Sequence, residues 1–216
     1  MKKLLAPLFV ILLGVSLLAA TYTDNFNRAD SGTLGADWTD AGAGMQIVSN
    51  TARGDTTTAD YDIAWYDAGA FTNDHYSEAT LGNVATMTDF AFLVVRTVGT
   101  DSASLRGYAM ALYKPTPQII LYSMDAGEAF TQLEVWESSS TFTDGDVYKI
   151  SVVGTTLRGY RNSTELTNSP FTDATYASGA AGLGANDNLV SWDNWTGADI
   201  GGGAVPCLRS LLGVGC

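Results

Sequence analysis

Apolar and polar side chains alternate in Tyr148-Lys149-Ile150-Ser151-Val152, and the chain runs on through Val153-Gly154-Thr155-Thr156-Leu157. Alternation places every second side chain on the same face of a β-strand, as a strand with one buried face requires. Gly154 supplies a turn residue, after which the chain can return as an antiparallel strand. The stretch therefore predicts a β-hairpin with strands at 147–153 and 156–161.

Similar short runs recur on both sides of this hairpin, separated by Gly, Asp, Asn, Ser and Thr. The segment 90–95 is apolar throughout, which indicates a central strand covered on both faces. No sustained helical period appears beyond the N-terminal segment. Turn signals about every ten residues favour an all-β sandwich or barrel. Strands are predicted at 45–49, 63–66, 76–81, 90–98, 107–113, 118–123, 132–136, 147–153, 156–161 and 190–195.

The N-terminal segment has the parts of a secretory signal. Lys2 and Lys3 precede an apolar run at 4–15, and small residues follow as far as Ala20. The apolar run is short for a bilayer span, which needs about 20 residues. We therefore predict a signal peptide over 1–20, no stable membrane span after cleavage, and a secreted or cell-surface location, extracellular or periplasmic.

The charge balance and the two cysteines bear on partners. The formal net charge of −12 disfavours binding to phosphate backbones, so no nucleic-acid partner is expected. Residues 198–216 form a Gly-rich linker and a tail that carries Cys207 and Cys216. In an oxidising compartment these cysteines either pair with each other or link two chains. The tail either packs back on the domain or serves self-assembly.

A series of segments, taken in order, carries a family resemblance: 24–30, 34–38, 107–109, 120–122, 131–133, 145–157, 176–183 and 192–195. Together they resemble the concanavalin A-like lectin/glucanase superfamily, particularly its laminin-G-like bacterial and phage members. The likeness spans about residues 22–197, which we take as one domain over 21–197. It implies a jelly roll of two antiparallel sheets whose concave face often holds carbohydrate. It does not imply one activity, because this fold hosts lectins, adhesion modules, glycosidases, lyases and virion proteins.

Glycosidase chemistry needs two carboxylates at a set separation. Glu134 and Glu137 lie three residues apart, so a regular strand would point them to opposite faces. A β-bulge could bring them together. The sequence also lacks a Ser–His–Asp triad motif, a phosphate-binding loop and Cys/His zinc spacing.

Lyase chemistry would need a base and a cationic clamp for a uronate. His75 is the chain's single histidine, and Arg96, Arg106 and Tyr108 lie on adjacent predicted strands. However, His75 stands at a loop-to-strand junction, where a surface histidine is ordinary. Enzymatic activity is therefore the less favoured prediction.

The sequence contains more side chains suited to carbohydrate binding than to either kind of catalysis. Aromatic rings and a few polar groups make up typical ligand sites. Trp38, Trp192 and Trp195 belong to the resemblance segments and are expected in the core. The candidates for ligand contact on the concave face are Trp65, Arg96, Arg106, Tyr108, Tyr113 and Trp136.

Calcium is implied by the resemblance alone, because related jelly rolls often join their first and last strands through Ca²⁺. Asp24 and Asp193 match those positions, and carboxylate oxygens suit this ion. The alternative is that both acids cap turns.

The leading hypothesis is a secreted, non-catalytic carbohydrate-binding or adhesion module, with a glycan or polysaccharide as partner. One alternative is a structural subunit of a virion, filament or surface assembly. The other is a glycoside hydrolase or polysaccharide lyase of the same fold.

Overall fold

The hairpin predicted from the alternating stretch is present in the computed structural model. Val147–Val153 pairs antiparallel with Thr156–Arg161, and Gly154 in the turn between them has a left-handed φ of 57°. Glycine reaches this conformation without the steric cost that a Cβ would add. The structure describes residues 19–41, 44–55, 61–127, 129–186 and 188–201.

The described residues form strands and connecting loops. The strands are β1 (Thr21–Asp24), β2 (Trp38–Ala41), β3 (Met45–Val48), β4 (Thr51–Gly54), β5 (Asp62–Tyr66), β6 (His75–Gly82), β7 (Phe90–Val98), β8 (Arg106–Tyr113), β9 (Gln118–Asp125), β10 (Ala129–Glu137), β11 (Val147–Val153), β12 (Thr156–Arg161), β13 (Thr164–Glu165), β14 (Phe171–Thr172), β15 (Ala180–Ala185) and β16 (Ser191–Asp199). Each strand predicted from the sequence overlaps one of these. Within the same residues, no helix is long and apolar enough to cross a membrane.

The strands form two antiparallel sheets. The nine-stranded sheet has the order β13-β12-β11-β6-β16-β4-β3, with β1 added on β16 and β14 on β12. The seven-stranded sheet has the order β10-β9-β8-β7-β15-β5-β2. The fold is therefore the all-β, antiparallel sandwich that the sequence predicts.

Strand β7 shows how the core is divided. Ala91, Leu93 and Val95 join the main core between the sheets. Phe92 and Val94 join a second cluster on the opposite face of the seven-stranded sheet. The strand is covered on both faces, as its continuous apolar run predicts.

The predicted core tryptophans are confirmed, because Trp38, Trp192 and Trp195 are buried in the main core. The predicted domain boundary at residue 197 falls inside β16, which continues to Asp199. The signal peptide up to residue 18 and the cysteine-bearing part of the tail lie outside the described residues, so the predictions made for them stay predictions.

Candidate functional site

A β-bulge in β7 directs Arg96 toward one end of the sandwich. The pairing of β7 with β8 shifts between Val95 and Val98, and Arg96 has a φ of 52°. A bulge of this kind bends the strand and re-aims a side chain. A Cβ on Gly107 or Gly179 would lie 2.9 Å or 2.4 Å from the main chain of Arg96. Both glycines therefore allow the close backbone approach that the bulge requires.

The Arg96 side chain spans from the seven-stranded sheet to loops of the nine-stranded sheet. Its Nε and Nη2 donate to the carbonyl oxygen of Asn73 at 3.0 and 2.9 Å. Nη1 donates to the carbonyl of Tyr176 at 2.8 Å, and Nη2 donates to that of Gly154 at 2.6 Å. The side chain is 3% exposed, and Asp74 lies 3.7 Å away. Burial lowers the pKa of the guanidinium, partly offset by nearby acidic groups.

The segments that Arg96 joins surround an open cleft of about 670 Å³ at this end of the sandwich. We call it the rim cleft. Its walls are residues 72–74 before β6, the turn 154–155, residues 174, 176 and 177 before β15, and residues 199–201 at the end of β16 and beyond it, with Ala19 at one side.

His75 lies beneath the rim cleft and is fully buried, so the expectation of a surface histidine is wrong. Its Nε2 accepts the main-chain N–H of Arg96 at 3.1 Å. The proton must then sit on Nδ1, which donates to the carbonyl of Thr72 at 2.8 Å. Burial lowers the pKa of His75, so the neutral ring is the favoured form.

We expect the imidazole of His75 to titrate below its ordinary pKa of about 6.5. The unfolded chain takes up a proton near that pH, whereas the folded chain resists protonation until the pH is lower. The free energy of unfolding should therefore fall as the pH drops below about 6.5, by at most ~1.4 kcal/mol per pH unit from this group. NMR titration of the single histidine, with urea unfolding of the parent and of His75→Gln, measures both effects. A ring pKa at or above 6.5 would contradict the assignment.

Tyr108 forms the second support under the cleft. Its hydroxyl donates to Asp173 Oδ1 at 2.5 Å and accepts the main-chain N–H of Tyr176 at 3.0 Å. Burial and the bond to Asp173 raise the pKa of Tyr108 to about 12. Tyr176 packs edge-on against the Tyr108 ring, with centroids 5.1 Å apart, and its hydroxyl donates to Asp125. These contacts fix the position of the Tyr176 ring in the cleft wall.

The cleft wall also presents polar side chains. Asn73 and Thr155 are exposed, and among the described residues their side chains have no hydrogen-bond partner. Asp74 Oδ1 accepts the N–H of Gly154 at 2.7 Å. Asp199 accepts the N–H of Thr72 on Oδ1 at 2.7 Å and that of Ala20 on Oδ2 at 3.0 Å. Hydrogen-bonding groups and an aromatic ring therefore converge on one open space.

The predicted ligand residues are distributed over three places. Arg96 and Tyr108 meet below the rim cleft, and Arg106 is exposed close to them on β8. Tyr113 and Trp65 lie on the outer face of the seven-stranded sheet, where Tyr113 stacks on Phe90 at 4.4 Å.

Two of the predicted aromatic platforms are not available to a sugar ring. Trp136 is fully buried in the main core, and Trp65 is 3% exposed. The prediction that they are exposed is wrong, because Trp136 packs in the main core and Trp65 packs in the second hydrophobic cluster. A Cβ on Gly159, for example, would lie 2.5 Å from the Trp136 ring.

The sequence did not single out Asn73, Asp74, Tyr176 and Asp199. Tyr176 lies within a segment that carried the family resemblance, and Asn73 and Asp74 directly precede an alternating strand. Asp199 lies beyond the predicted domain boundary. Their convergence depends on which strand ends meet, which the local pattern does not contain.

The two acids considered for glycosidase chemistry lie on β10, away from the residues that line the cleft. The pairing of β10 shifts at two places, between Gln132 and Glu134 and between Val135 and Glu137. Glu134 Oε1 accepts the N–H of Val135 at 2.9 Å. Glu137 Oε2 is buried without a hydrogen-bond partner in the described part of the chain.

The residues proposed as calcium ligands do not fit that role. Arg28 donates to both carboxylate oxygens of Asp24 at 2.7 and 2.9 Å, and the indole N–H of Trp38 adds a bond at 3.0 Å. Asp193 Oδ1 accepts the N–H of Asn194 at 2.7 Å. No group of three or more His, Cys, Asp or Glu residues suitable for a metal occurs among the residues described. Both carboxylate oxygens of Asp24 are therefore engaged by protein donors in this structure.

Solved structures with this fold include carbohydrate-binding proteins. A carbohydrate-binding module, CBM66 from Bacillus subtilis, matches with a TM-score of 0.55 and 13% identity over 77% of this chain and 94% of its own. The exoplasmic/lumenal domain of VIP36, in a form with bound Ca²⁺ and Man2, matches with a TM-score of 0.54 and 13% identity over 83% and 86%. The chain has a jelly-roll β-sandwich fold.

A third match supports the same fold. A Bacillus subtilis protein of unknown function with a galectin-like fold has a TM-score of 0.52 and 11% identity, covering 76% of this chain and 90% of its own. No protein-family model and no curated protein sequence matches the chain. At these identities the matches show the shared jelly-roll architecture, and function must be argued from the site.

Proposed function

We propose that the chain is an exported, non-catalytic module that binds carbohydrate in the rim cleft. The observation that carries the proposal is an open cleft of about 670 Å³ lined by Asn73, Asp74, Thr155, Tyr176 and Asp199. Its volume lies in the range of small-molecule sites, and its lining combines an aromatic ring with a few directed polar groups. The fold shared with a carbohydrate-binding module and with a domain solved in a Man2-bound form supports the same function.

The internal bonding of His75 and Tyr108, the residues considered for lyase chemistry, supports binding over lyase catalysis. A general base must reach a proton of the substrate within hydrogen-bond distance. His75 uses both ring nitrogens on internal partners, and the Tyr108 hydroxyl is held between Asp173 and the Tyr176 N–H. Both groups serve the walls of the cleft, so neither is positioned as a base toward its space.

Removing two free polar side chains should weaken glycan binding without unfolding the protein. We expect the double substitution Asn73→Ala and Thr155→Ala to reduce the affinity for a glycan found by array screening roughly tenfold or more, because two hydrogen bonds are lost. Stability should change by less than about 0.5 kcal/mol, since both side chains are exposed. Isothermal titration calorimetry and urea unfolding measure the two quantities.

The matched control is Asn27→Ala with Thr33→Ala, an exposed pair beyond the other end of β1. It should leave affinity unchanged. Failure of a broad glycan array to give any bound sugar would overturn the proposal. Equal affinity losses in the two double variants would move the site away from the rim cleft.

A further inference from the structure

The cationic and anionic side chains of the rim cleft differ in how accessible they are to a ligand. Arg96 is the single cation among the described residues that line it, and four hydrogen bonds commit its guanidinium to main-chain carbonyls. With the side chain 3% exposed, little of that guanidinium remains for a ligand. A carboxylate or sulfate entering the cleft would meet no free cationic donor on the described lining.

The carboxylates are more accessible than the guanidinium. The Asp74 side chain is 34% exposed, and its Oδ2 has no hydrogen-bond partner in the described part of the chain. Asp199 is half-buried, and each of its oxygens accepts a single main-chain N–H. Ionised carboxylates only accept hydrogen bonds, so these oxygens suit the O–H donors of a polyol. They repel an anionic ligand, most strongly where water is partly excluded.

We propose that the rim cleft selects neutral, hydroxyl-rich glycans and discriminates against glycans that carry carboxylate or sulfate groups. The selection follows from two partly exposed acceptors, Asp74 and Asp199, beside an arginine whose donors already have main-chain partners. The inference rests on the proposed function, because it names the class of ligand for the same cleft. It also removes Arg96 from the role of uronate clamp considered from the sequence.

The position of the mature N-terminus affects the net charge on one side of the rim cleft. If the leader ends at Ala20, as the sequence predicts, the N–H that Ala20 gives to Asp199 is lost and Thr21 carries an α-ammonium nearby. An α-amino group has an ordinary pKa of about 7.7–8.0, and the neighbouring Asp199 carboxylate favours its charged form, so this charge is lost progressively as the pH rises above about 8. Discrimination should then be stronger at about pH 9 than at pH 7 in such a chain, with Asp74 effective at both.

The test compares each neutral oligosaccharide with its counterpart oxidised to a uronate at C6. The protein is the full chain as recovered after expression with its own leader. At low ionic strength we expect the uronate to bind about tenfold more weakly than the neutral sugar. About 0.5 M salt should narrow the difference to a few-fold. At low salt, Asp74→Asn and Asp199→Asn should each reduce the difference in affinity between the neutral sugar and the uronate. The control Asp37→Asn changes an exposed acid outside the cleft and should leave that difference unchanged.

The outcomes separate the two proposals. Uronates that bind as tightly as the neutral sugars, or better, overturn the inference and leave glycan binding standing. A preference for neutral sugars that neither Asp74→Asn nor Asp199→Asn alters also overturns it. Absence of binding by both series overturns the proposed function and this inference together. Urea unfolding of each variant confirms that the compared proteins are folded, and the two aspartate variants serve as independent probes.

Discussion

Replacing Arg96 with methionine is expected to lower the free energy of unfolding by about 3 kcal/mol and to abolish binding in the rim cleft. Methionine keeps apolar volume but supplies no donor to the carbonyls of Asn73, Gly154 and Tyr176. Hydrogen bonds from a charged group contribute about 1.5–3 kcal/mol each, less where water can replace the donor. Urea unfolding and calorimetric titration of the same sample measure both losses.

Two comparisons make this prediction specific. Arg106→Met changes an exposed arginine on the neighbouring strand and should alter stability by less than about 0.5 kcal/mol. Arg96→Lys keeps the charge but loses the planar fork of donors, so an intermediate loss is expected. If Arg96→Met unfolded at the same urea concentration as Arg106→Met, the guanidinium would not be what holds the cleft walls together.

Local patterns were sufficient to predict the hairpin and the central strand. The alternation in 148–152 and the glycine at 154 determine a strand face and a turn without reference to the rest of the chain. Likewise, the continuous apolar run of β7 indicates by itself that both faces of the strand are buried. Agreement between these local preferences and the final sheets is the consistency expected of a foldable sequence.

Strand β15 shows where local patterns fail. Its sequence Ala180-Ala181-Gly182-Leu183-Gly184-Ala185 contains no β-branched or aromatic residue, so it has low intrinsic strand preference. It becomes a strand because it pairs with β5 on one side and β7 on the other. The information that places it lies in its neighbours.

The candidate site was predicted only in part, for a related reason. Arg96 and Tyr108 were predicted from the sequence, but as ligand contacts on the concave face. The bulge that turns Arg96 inward depends on close backbone approach by Gly107 and Gly179, which are distant from each other in sequence. His75 was expected at the surface because it stands at a loop-to-strand junction. Its burial follows from Arg96, whose main-chain N–H requires an acceptor.

The pairing of β15 with β5 leads to the second large expected effect, that of Gly182→Ala. A Cβ at this position would lie 2.0 Å from the carbonyl oxygen of Ala64 and 2.7 Å from the Cα of Trp65. These are main-chain atoms of the paired strand, so no side-chain rotation relieves the contact. We expect a loss of about 3 kcal/mol or more and a fall in Tm of roughly 6–12 °C, measured by calorimetry.

Gly32→Ala provides the matched control for that substitution. Its added Cβ would have no heavy atom within 4 Å, and its φ is not left-handed, so stability should stay within about 0.5 kcal/mol of the parent. The two variants add the same methyl group, and they differ only in what surrounds it. A Tm for Gly182→Ala within about 2 °C of that for Gly32→Ala would show that β15 can move away from β5 at little cost. The close contact between these strands would then not be what requires glycine at position 182.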